Sequence, residues 1–148
     1  FVGPLGTGPG QSAGRLAGYR EALAERGAHP IEASIYPDGD RKSQGYHAAR
    51  DMIERDGSID AFFAASDRLA FGVLDYLKEI GRDVPEDVGI VGFDGMSAGT
   101  ISSPPLTTVA PDLAKAAEAL LRMAIDGETS VTQRVNVKLI ERASVRPA

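Results

Sequence analysis

Cysteine is absent from this 148-residue sequence, which excludes disulfide bonds and thiolate metal sites. The sequence also has no apolar run near the roughly 18 residues that a membrane-spanning helix needs, and no charged segment leading into an apolar one. We therefore expect neither a membrane span nor a signal peptide within these residues. Positive charge is in deficit, since 16 Lys and Arg face 21 Asp and Glu for a net charge of −5. That balance argues against a basic nucleic-acid-binding surface within this chain.

The short signatures of common catalytic and phosphate-binding sites are missing as well. The sequence contains no G-x-S-x-G, H-E-x-x-H or G-K-[ST] motif, and no pair of carboxylates stands out as an acid and base set. The two histidines, His29 and His47, have no partners at the spacing of metal ligands. We therefore predict that the chain is not an enzyme and uses neither a cofactor nor a metal ion.

What is present is an alternation of apolar segments with helical patterns, over a length that suits one domain. Helical spacing joins Leu16, Tyr19 and Leu23, with Ser12 expected as the N-cap and Gly27 at the helix end. The predicted strands are residues 1–4, 31–36, 59–65 and 88–93, the further helices are 46–57, 68–80 and 112–125, and a late, partly exposed strand lies within 131–145. This order is typical of α/β proteins and predicts a doubly wound parallel sheet.

Polar residues follow two of the predicted strands, at the edge where open α/β sheets bind small molecules. One strand ends in Ser66-Asp67 and the next ends in Asp94. Either Ser66 or Asp67 can cap the following helix, and we expect Asp67 to be the cap and Ser66 to face the crevice. Asp94 either caps a turn or accepts hydrogen bonds from ligand hydroxyls, and we favour the ligand role.

The glycine-rich loop before the first helix has two interpretations. Gly8-Pro9-Gly10-Gln11-Ser12-Ala13 matches the loose G-x-G-x-x-A form of a dinucleotide-binding fingerprint. However, proline sits inside the turn, and Asp38 is the nearest candidate for the ribose-binding acid, so we favour a loop that only turns the chain. Arg15, just beyond the loop, is either a solvated surface residue or a guanidinium that holds a carboxylate or vicinal hydroxyls.

Five segments of the chain carry a joint resemblance, and they are Arg15-Leu16-Ala17-Gly18-Tyr19, the run from Ala64 to Gly72, Val84-Pro85-Glu86-Asp87-Val88, Gly92-Phe93-Asp94 and Pro105-Leu106-Thr107-Thr108-Val109. Together they resemble the effector-binding core of the lactose-repressor/galactose-repressor (LacI/GalR) family of transcription regulators. Their order and intervals match over nearly the whole chain. The resemblance implies a periplasmic-binding-protein-like fold, in which two α/β subdomains clasp a small effector, usually a sugar or a nucleobase.

Carried over by position, the resemblance also implies effector-binding residues. Arg15 matches the arginine that clamps the effector, and Asp94 matches the acid that bonds its hydroxyls. Ser66 lies where the family often has asparagine, and Gln11 lies where members select the ligand's edge. Asp40 lies where many members place an aromatic residue that stacks on the ligand. That departure favours a polyhydroxylated effector over a flat, purine-like one.

For the domains, the resemblance implies a partial effector-binding and dimerisation domain. Residues 1–109 and 131–148 would form its core subdomain, and 110–130 would form a crossover helix that normally packs on an N-terminal subdomain. The resemblance implies that this subdomain and the DNA-binding helix-turn-helix lie outside this chain. Residues 1–4 are typical of the end of a strand, so we expect the chain to begin within a domain. Without that cover, we expect the helix's apolar stripe to pack on its own core in a changed position or on a second copy. The stripe consists of Leu113, Ala117, Leu120, Leu121 and Ala124. Phe71 matches a dimer-contact position, with core packing as the alternative.

The resulting hypothesis is the ligand-sensing domain of a cytoplasmic transcription repressor that responds to a sugar or related polyol. Its expected partners are the effector, a second copy in a homodimer, and operator DNA reached only through the helix-turn-helix; no membrane partner is expected. A sugar-binding protein of a transport system shares the fold and is the alternative. A helix-turn-helix upstream would favour the first hypothesis, and a secretory signal the second.

Overall fold

The computed structural model describes residues 1–5, 11–35, 39–127 and 134–147. The first glycines of the predicted fingerprint and Asp38 therefore lie outside the described residues. The elements in chain order are α1 (Gln11–Ala24), α2 (Arg41–Arg55), β1 (Ala61–Phe63), α3 (Asp67–Glu79), β2 (Gly89–Phe93), a short 3-10 helix (Ser97–Thr100), β3 (Thr107–Pro111), α4 (Leu113–Asp126) and β4 (Val137–Ile140). No helix in these ranges is both long and apolar enough to cross a bilayer.

The sheet has the strand order β1-β2-β3-β4. The first three strands are parallel, and β4 runs antiparallel to β3. The α/β class is confirmed, but the late strand makes the sheet mixed rather than wholly parallel. The predicted strands 1–4 and 31–36 contribute only single bridges, because Val2 pairs in parallel with both Ala33 and Ala64. Val2 thereby places the start of the chain beside β1.

Helices α2 and α3 pack tightly against each other and form much of the core. Their backbones approach so closely that a Cβ atom on Gly72 would overlap the Lys42 carbonyl oxygen, and one on Gly45 would overlap the Leu69 carbonyl oxygen. Only glycine permits that approach. The spacing of Leu69, Val73, Leu77 and Ile80 predicts the apolar face of α3, and the first three are buried, whereas Ile80 lies at the C-cap and is 40% exposed. This packing fixes the start of α3, which follows the carboxyl end of β1.

All four expected helix starts differ from the observed ones: the helix expected over 46–57 begins at Arg41 because Asp40 caps it, and the one expected over 68–80 begins at Asp67. Helix α1 begins at Gln11, so Ser12 lies inside the first turn and is not the N-cap. Helix α4 begins at Leu113, because the Asp112 carboxylate accepts a hydrogen bond from the Lys115 backbone N–H at 3.1 Å and so caps it. At the other end, Gly127 adopts a left-handed conformation with a φ of 70°, as expected of a terminating glycine.

The apolar stripe of α4 is exposed. Leu113, Leu120, Leu121 and Ile125 keep 67%, 66%, 64% and 80% of their surface accessible, and the one residue of the helix that is buried is Ala119. The expectation that this helix packs on its own core is therefore wrong. The reason is geometric, since α4 leaves the sheet directly after β3 and the chain described here supplies no element over its apolar face. The alternative cover, a second copy, remains a prediction.

Candidate functional site

Arg15 joins the carboxyl ends of two neighbouring strands. It lies in the second turn of α1, and one guanidinium nitrogen donates a hydrogen bond to the carbonyl oxygen of Ala65, just beyond β1. The guanidinium carbon stacks 3.6 Å from the ring centroid of Phe93, the last residue of β2. Burial lowers the pKa of Arg15 and the nearby Asp94 opposes that effect, yet arginine stays charged at neutral pH. The result is a rigidly held cation at the sheet edge.

Asp94 follows β2 directly and has a strained backbone. Its φ of 125° is the one positive value among the non-glycine residues described, a conformation that costs about 1–3 kcal/mol and persists only where its surroundings enforce it. Its backbone N–H donates to the Val109 carbonyl oxygen at 2.9 Å. Burial raises the pKa of the Asp94 carboxyl, Arg15 lowers it, and the nearby Asp67 raises it. The side chain remains 42% exposed, so a ligand can reach it.

The spacing between these two charges suits a hydroxyl. A guanidinium nitrogen of Arg15 lies 3.9 Å from a carboxylate oxygen of Asp94, which is too far for a hydrogen bond. A hydroxyl oxygen lying about 2.8 Å from both atoms would accept from the arginine and donate to the carboxylate, because a hydroxyl can do both. The pair is therefore chemically fitted to a ligand that carries hydroxyl groups.

The capping residue of α3 is Ser66, and the expectation that Asp67 caps this helix is wrong. Ser66 has an extended backbone, and its hydroxyl oxygen accepts from the Leu69 backbone N–H at 3.3 Å. Asp67 is already helical and fully buried, and its carboxylate accepts hydrogen bonds from Thr108 and from the Met96 backbone N–H. The partial exposure of Ser66 leaves its hydroxyl at the crevice edge. Its predicted contact with an effector stays a prediction.

Asp40 lies at the start of α2. Its carboxylate caps α2 by accepting from the backbone N–H groups of Lys42 and Ser43, at 2.8 and 3.2 Å, and from the Ser43 hydroxyl at 2.9 Å. These bonds, that of the Ser43 hydroxyl first, lower the pKa of Asp40. Asp40 also lines a hollow of about 590 Å³ together with Pro4, Ile35, Gly39, Arg41, Gln44 and Arg68. The structure gives it no contact with Arg15 or Asp94, so its effector role remains a prediction.

The remaining predicted residues are Gln11 and Phe71. Gln11 is the first residue of α1, one helical turn before Arg15, and its side chain lies outside the described residues. Phe71 is half-buried against the core and lines a hollow of about 240 Å³ with Lys42, Leu74, Asp75, Lys78, Ser102 and Ser103. Core packing and a dimer contact are both compatible with that position.

Two groups that contact the predicted site residues are absent from the predictions. Phe93 supplies the ring under Arg15, and the Thr108 hydroxyl donates a hydrogen bond to the carboxylate of Asp67, the residue predicted to cap α3. Both belong to segments that carry the family resemblance, which is the signal that would have found them. Within the described ranges, no three His, Cys, Asp or Glu side chains group so that they could hold a metal ion.

Comparison with known proteins gives consistent matches. A model of the periplasmic binding protein-like domain matches residues 1–145. The HTH-type transcriptional regulator CelR of Thermobifida fusca is 35% identical over 124 residues, which cover 82% of this chain and 36% of CelR. The HTH-type transcriptional repressor PurR of Salmonella newport (strain SL254) is 31% identical over 148 residues, which cover 97% of this chain and 43% of PurR.

A solved structure agrees with these relatives. It is a sugar-binding transcriptional regulator of the LacI family from Escherichia coli, in complex with phosphate, with a TM-score of 0.81 and 27% identity over 99% of this chain and 54% of that one. The sheet and its polar carboxyl edge are thus those of a periplasmic-binding-protein-like domain. The chain belongs to the LacI/GalR family of regulators. It spans less than half the length of CelR and PurR.

Proposed function

We propose that this chain is the ligand-sensing domain of a cytoplasmic, DNA-binding transcription repressor whose effector is a sugar or related polyol. The observation that carries the proposal is the placement of Arg15 and Asp94 at one sheet edge, 3.9 Å apart and bridgeable by a hydroxyl. The regulator role is supported by the three similar proteins, two of which are named as transcriptional regulators and one as a transcriptional repressor. The sugar class is supported by the one described as sugar-binding.

In this mechanism, Arg15 donates hydrogen bonds to effector oxygens and Asp94 accepts from effector hydroxyls. Ser66, Gln11 and Asp40 supply further polar contacts around the same ligand. Binding regulates DNA affinity only if the effector prefers one arrangement of the whole protein. The charges of Arg15 and Asp94 lie on different elements, α1 and the end of β2. Because both lie in the proposed core subdomain, the effector favours one arrangement of the whole protein only through additional contacts with the proposed second subdomain.

The proposed domain organisation rests on the exposure of apolar side chains along α4. Residues 1–109 and 131–148 form the core subdomain, and 110–130 carry the crossover helix, whose apolar stripe is largely exposed in this chain. Each exposed leucine of that stripe would gain roughly 1.5–3 kcal/mol on full burial. We propose that a second α/β subdomain of the same protein covers the stripe, since CelR and PurR are more than twice as long as the part matched here. The hollow at Phe71 is the proposed homodimer contact.

Calorimetric titration of the complete protein with D-glucose, D-galactose, D-ribose, cellobiose and lactose tests the assignment. We expect saturable binding of at least one sugar, and about ten- to a hundredfold weaker binding in Arg15→Ala and in Asp94→Ala, because each removes charge-assisted hydrogen bonds worth about 1.5–3 kcal/mol. Arg20→Ala is the matched control, since Arg20 lies on the same helix and pairs instead with Glu32. Unchanged affinity in both site variants would refute the assignment, and no binding by any sugar would refute the effector class.

A further inference from the structure

The buried carboxylate of Asp67 connects three separate parts of the chain. It is the first residue of α3 and has no exposed surface. One carboxylate oxygen accepts a hydrogen bond from the Thr108 hydroxyl on β3 at 2.6 Å, and the other accepts from the Met96 backbone N–H at 2.7 Å. Burial raises the pKa of Asp67 while these two bonds lower it. An acidic group in this position is costly to bury unless both oxygens are bonded, and here both are.

Thr108 also connects Asp67 to Gly95, the residue that precedes Met96. Its hydroxyl oxygen accepts from the Gly95 backbone N–H at 3.2 Å and donates its single proton to Asp67. The direction is fixed because a backbone N–H can only donate and a carboxylate accepts. Three consecutive amides, those of Asp94, Gly95 and Met96, are therefore each bonded, to Val109, Thr108 and Asp67 respectively. Two of these three partners belong to the Asp67 and Thr108 pair.

Strand β2 leaves space for the Asp67 carboxylate because it has a glycine at position 92. A Cβ atom on Gly92 would overlap a carboxylate oxygen of Asp67. The turn that the carboxylate holds contains Asp94, whose φ of 125° is unfavourable for a residue with a side chain. Such a conformation persists only where surrounding bonds enforce it. The bonds of the buried pair to the Gly95 and Met96 amides hold the turn together with the bond of the Asp94 N–H to Val109.

We infer that Asp67, acting with Thr108, is the positioning residue of the effector site and keeps the Asp94 carboxylate opposite Arg15. Asp67 does not touch the effector itself, because it is fully buried beneath the turn. The inference rests on the proposed effector role of Asp94. It also assigns a role to Thr108, the second threonine of Pro105-Leu106-Thr107-Thr108, a segment for which no effector contact is proposed.

The first arm of the test needs no ligand. Amide hydrogen exchange in the complete protein is compared among wild type, Thr108→Val, Thr108→Ser and Thr107→Val. We expect Gly95 and Met96 to exchange about tenfold faster or more in Thr108→Val, which corresponds to about 1.4 kcal/mol, and to regain protection in Thr108→Ser, which keeps the hydroxyl. Thr107→Val is the matched control, because Thr107 is equally buried but its hydroxyl bonds the backbone of Arg142. Unchanged protection of both amides in Thr108→Val would overturn the inference.

The second arm measures affinity for whichever of the five sugars binds the wild type. We expect Thr108→Val and Asp67→Asn to bind at least about tenfold more weakly, with Thr108→Ser and Thr107→Val near wild type. A loss in Thr107→Val equal to that in Thr108→Val would mean a general loss of structure and would overturn positioning. If Asp94→Ala weakens binding but Thr108→Val and Asp67→Asn do not, the inference fails while the proposed function stands. If Asp94→Ala has no effect, the effector role of Asp94 fails, and the exchange result still decides whether the pair holds the turn.

Discussion

Helices α3 and α4 have similar lengths and similar apolar patterning, yet they differ in burial. α3 buries eight of its 13 residues, whereas α4 buries only Ala119 of its 14. Both are capped at the N-terminus by a side-chain oxygen, that of Ser66 for α3 and that of Asp112 for α4. The difference therefore comes from what lies opposite each helix and not from the helices themselves. An amphipathic pattern predicts that one face of a helix is buried. The rest of the structure decides whether this chain supplies the residues that bury that face.

The largest difference in unfolding free energy between the two helices is expected when one leucine in each is replaced by alanine. Leu77→Ala in α3 removes a side chain with no exposed surface, and we expect it to lower the free energy of unfolding by about 2–5 kcal/mol. Leu120→Ala in α4 removes a side chain that is 66% exposed, and we expect a change within about 0.5 kcal/mol. Urea unfolding of the 148-residue chain measures both.

The same pair of variants in the complete protein sharpens the comparison. There we expect Leu120→Ala to become clearly destabilising, because the proposed second subdomain covers the stripe of α4. An equally small effect of Leu120→Ala in both proteins would contradict that proposed cover. A large effect in the 148-residue chain would instead show that a second copy covers the stripe, which sedimentation at several concentrations would detect.

A smaller effect is expected from adding one methyl group at two helical glycines. In Gly72→Ala the new Cβ would overlap the backbone of α2, which cannot shift cheaply, so we expect a loss of about 1–3 kcal/mol. In Gly18→Ala of α1 nothing lies within 4 Å of the new Cβ, so we expect a gain of about 0.4–1 kcal/mol from the restricted unfolded chain. Thermal unfolding of the two variants measures the difference, and equal effects would argue against the close approach of α2 and α3.

The smallest expected effect concerns the titration of the site carboxyls. Burial raises the pKa of Asp94 above its ordinary 3.8 and Arg15 opposes the rise, so Arg15→Gln should raise that pKa further. The carbon resonance of the carboxyl group reports it. Asp67 is the internal control, because Arg15 is not among the groups that shift its pKa. A fall in the Asp94 pKa would contradict the proximity of the two charges.

The sign of the linked stability change follows from the same shift. A folded-state pKa above the unfolded value means that the folded state holds the proton more readily, so the stabilisation is complete below 3.8 and is lost as pH rises through the folded pKa. In Arg15→Gln the folded-state pKa of Asp94 is expected to be higher, so the pH range over which this stabilisation is lost extends to higher pH. The variant should therefore lose stability relative to wild type as pH rises through it.

The sequence predicted the elements best where their pattern was long and their cover came from nearby. At α3, Leu69, Val73 and Leu77 were predicted correctly because helical spacing and burial agree there, whereas Ile80, expected on the same face, lies past the last helical residue and is partly exposed. The strands expected at 1–4 and 31–36 reduce to the bridges of Val2 and Ala33, because strand pairing depends on the path of the neighbouring backbone. The strand β4 was expected, but its antiparallel direction was not, since the residues of a strand do not state which way it runs.

The candidate site was predicted in the same uneven way. Arg15 and Asp94 were both identified, one from its place in a family segment and the other also from its place after a strand, and the structure brings them together. Ser66 and Asp67 were assigned in the wrong order because a helix start that moves by one residue exchanges the capping and buried positions. Asp40 matched a family position, but its carboxylate is bonded to the start of α2.

By itself, the sequence determined the α/β class, the apolar faces of the helices and the strand ends at which a site can form, because these follow from local spacing and chain order. The tertiary structure decided which polar atoms meet. The bond between Asp67 and Thr108 spans 41 residues, and it exists because β2 and β3 pair in a register that places Gly92 beside Thr108. The exposure of α4 was likewise decided by the structure, because cover for an apolar face comes from elements elsewhere in the chain or from another surface.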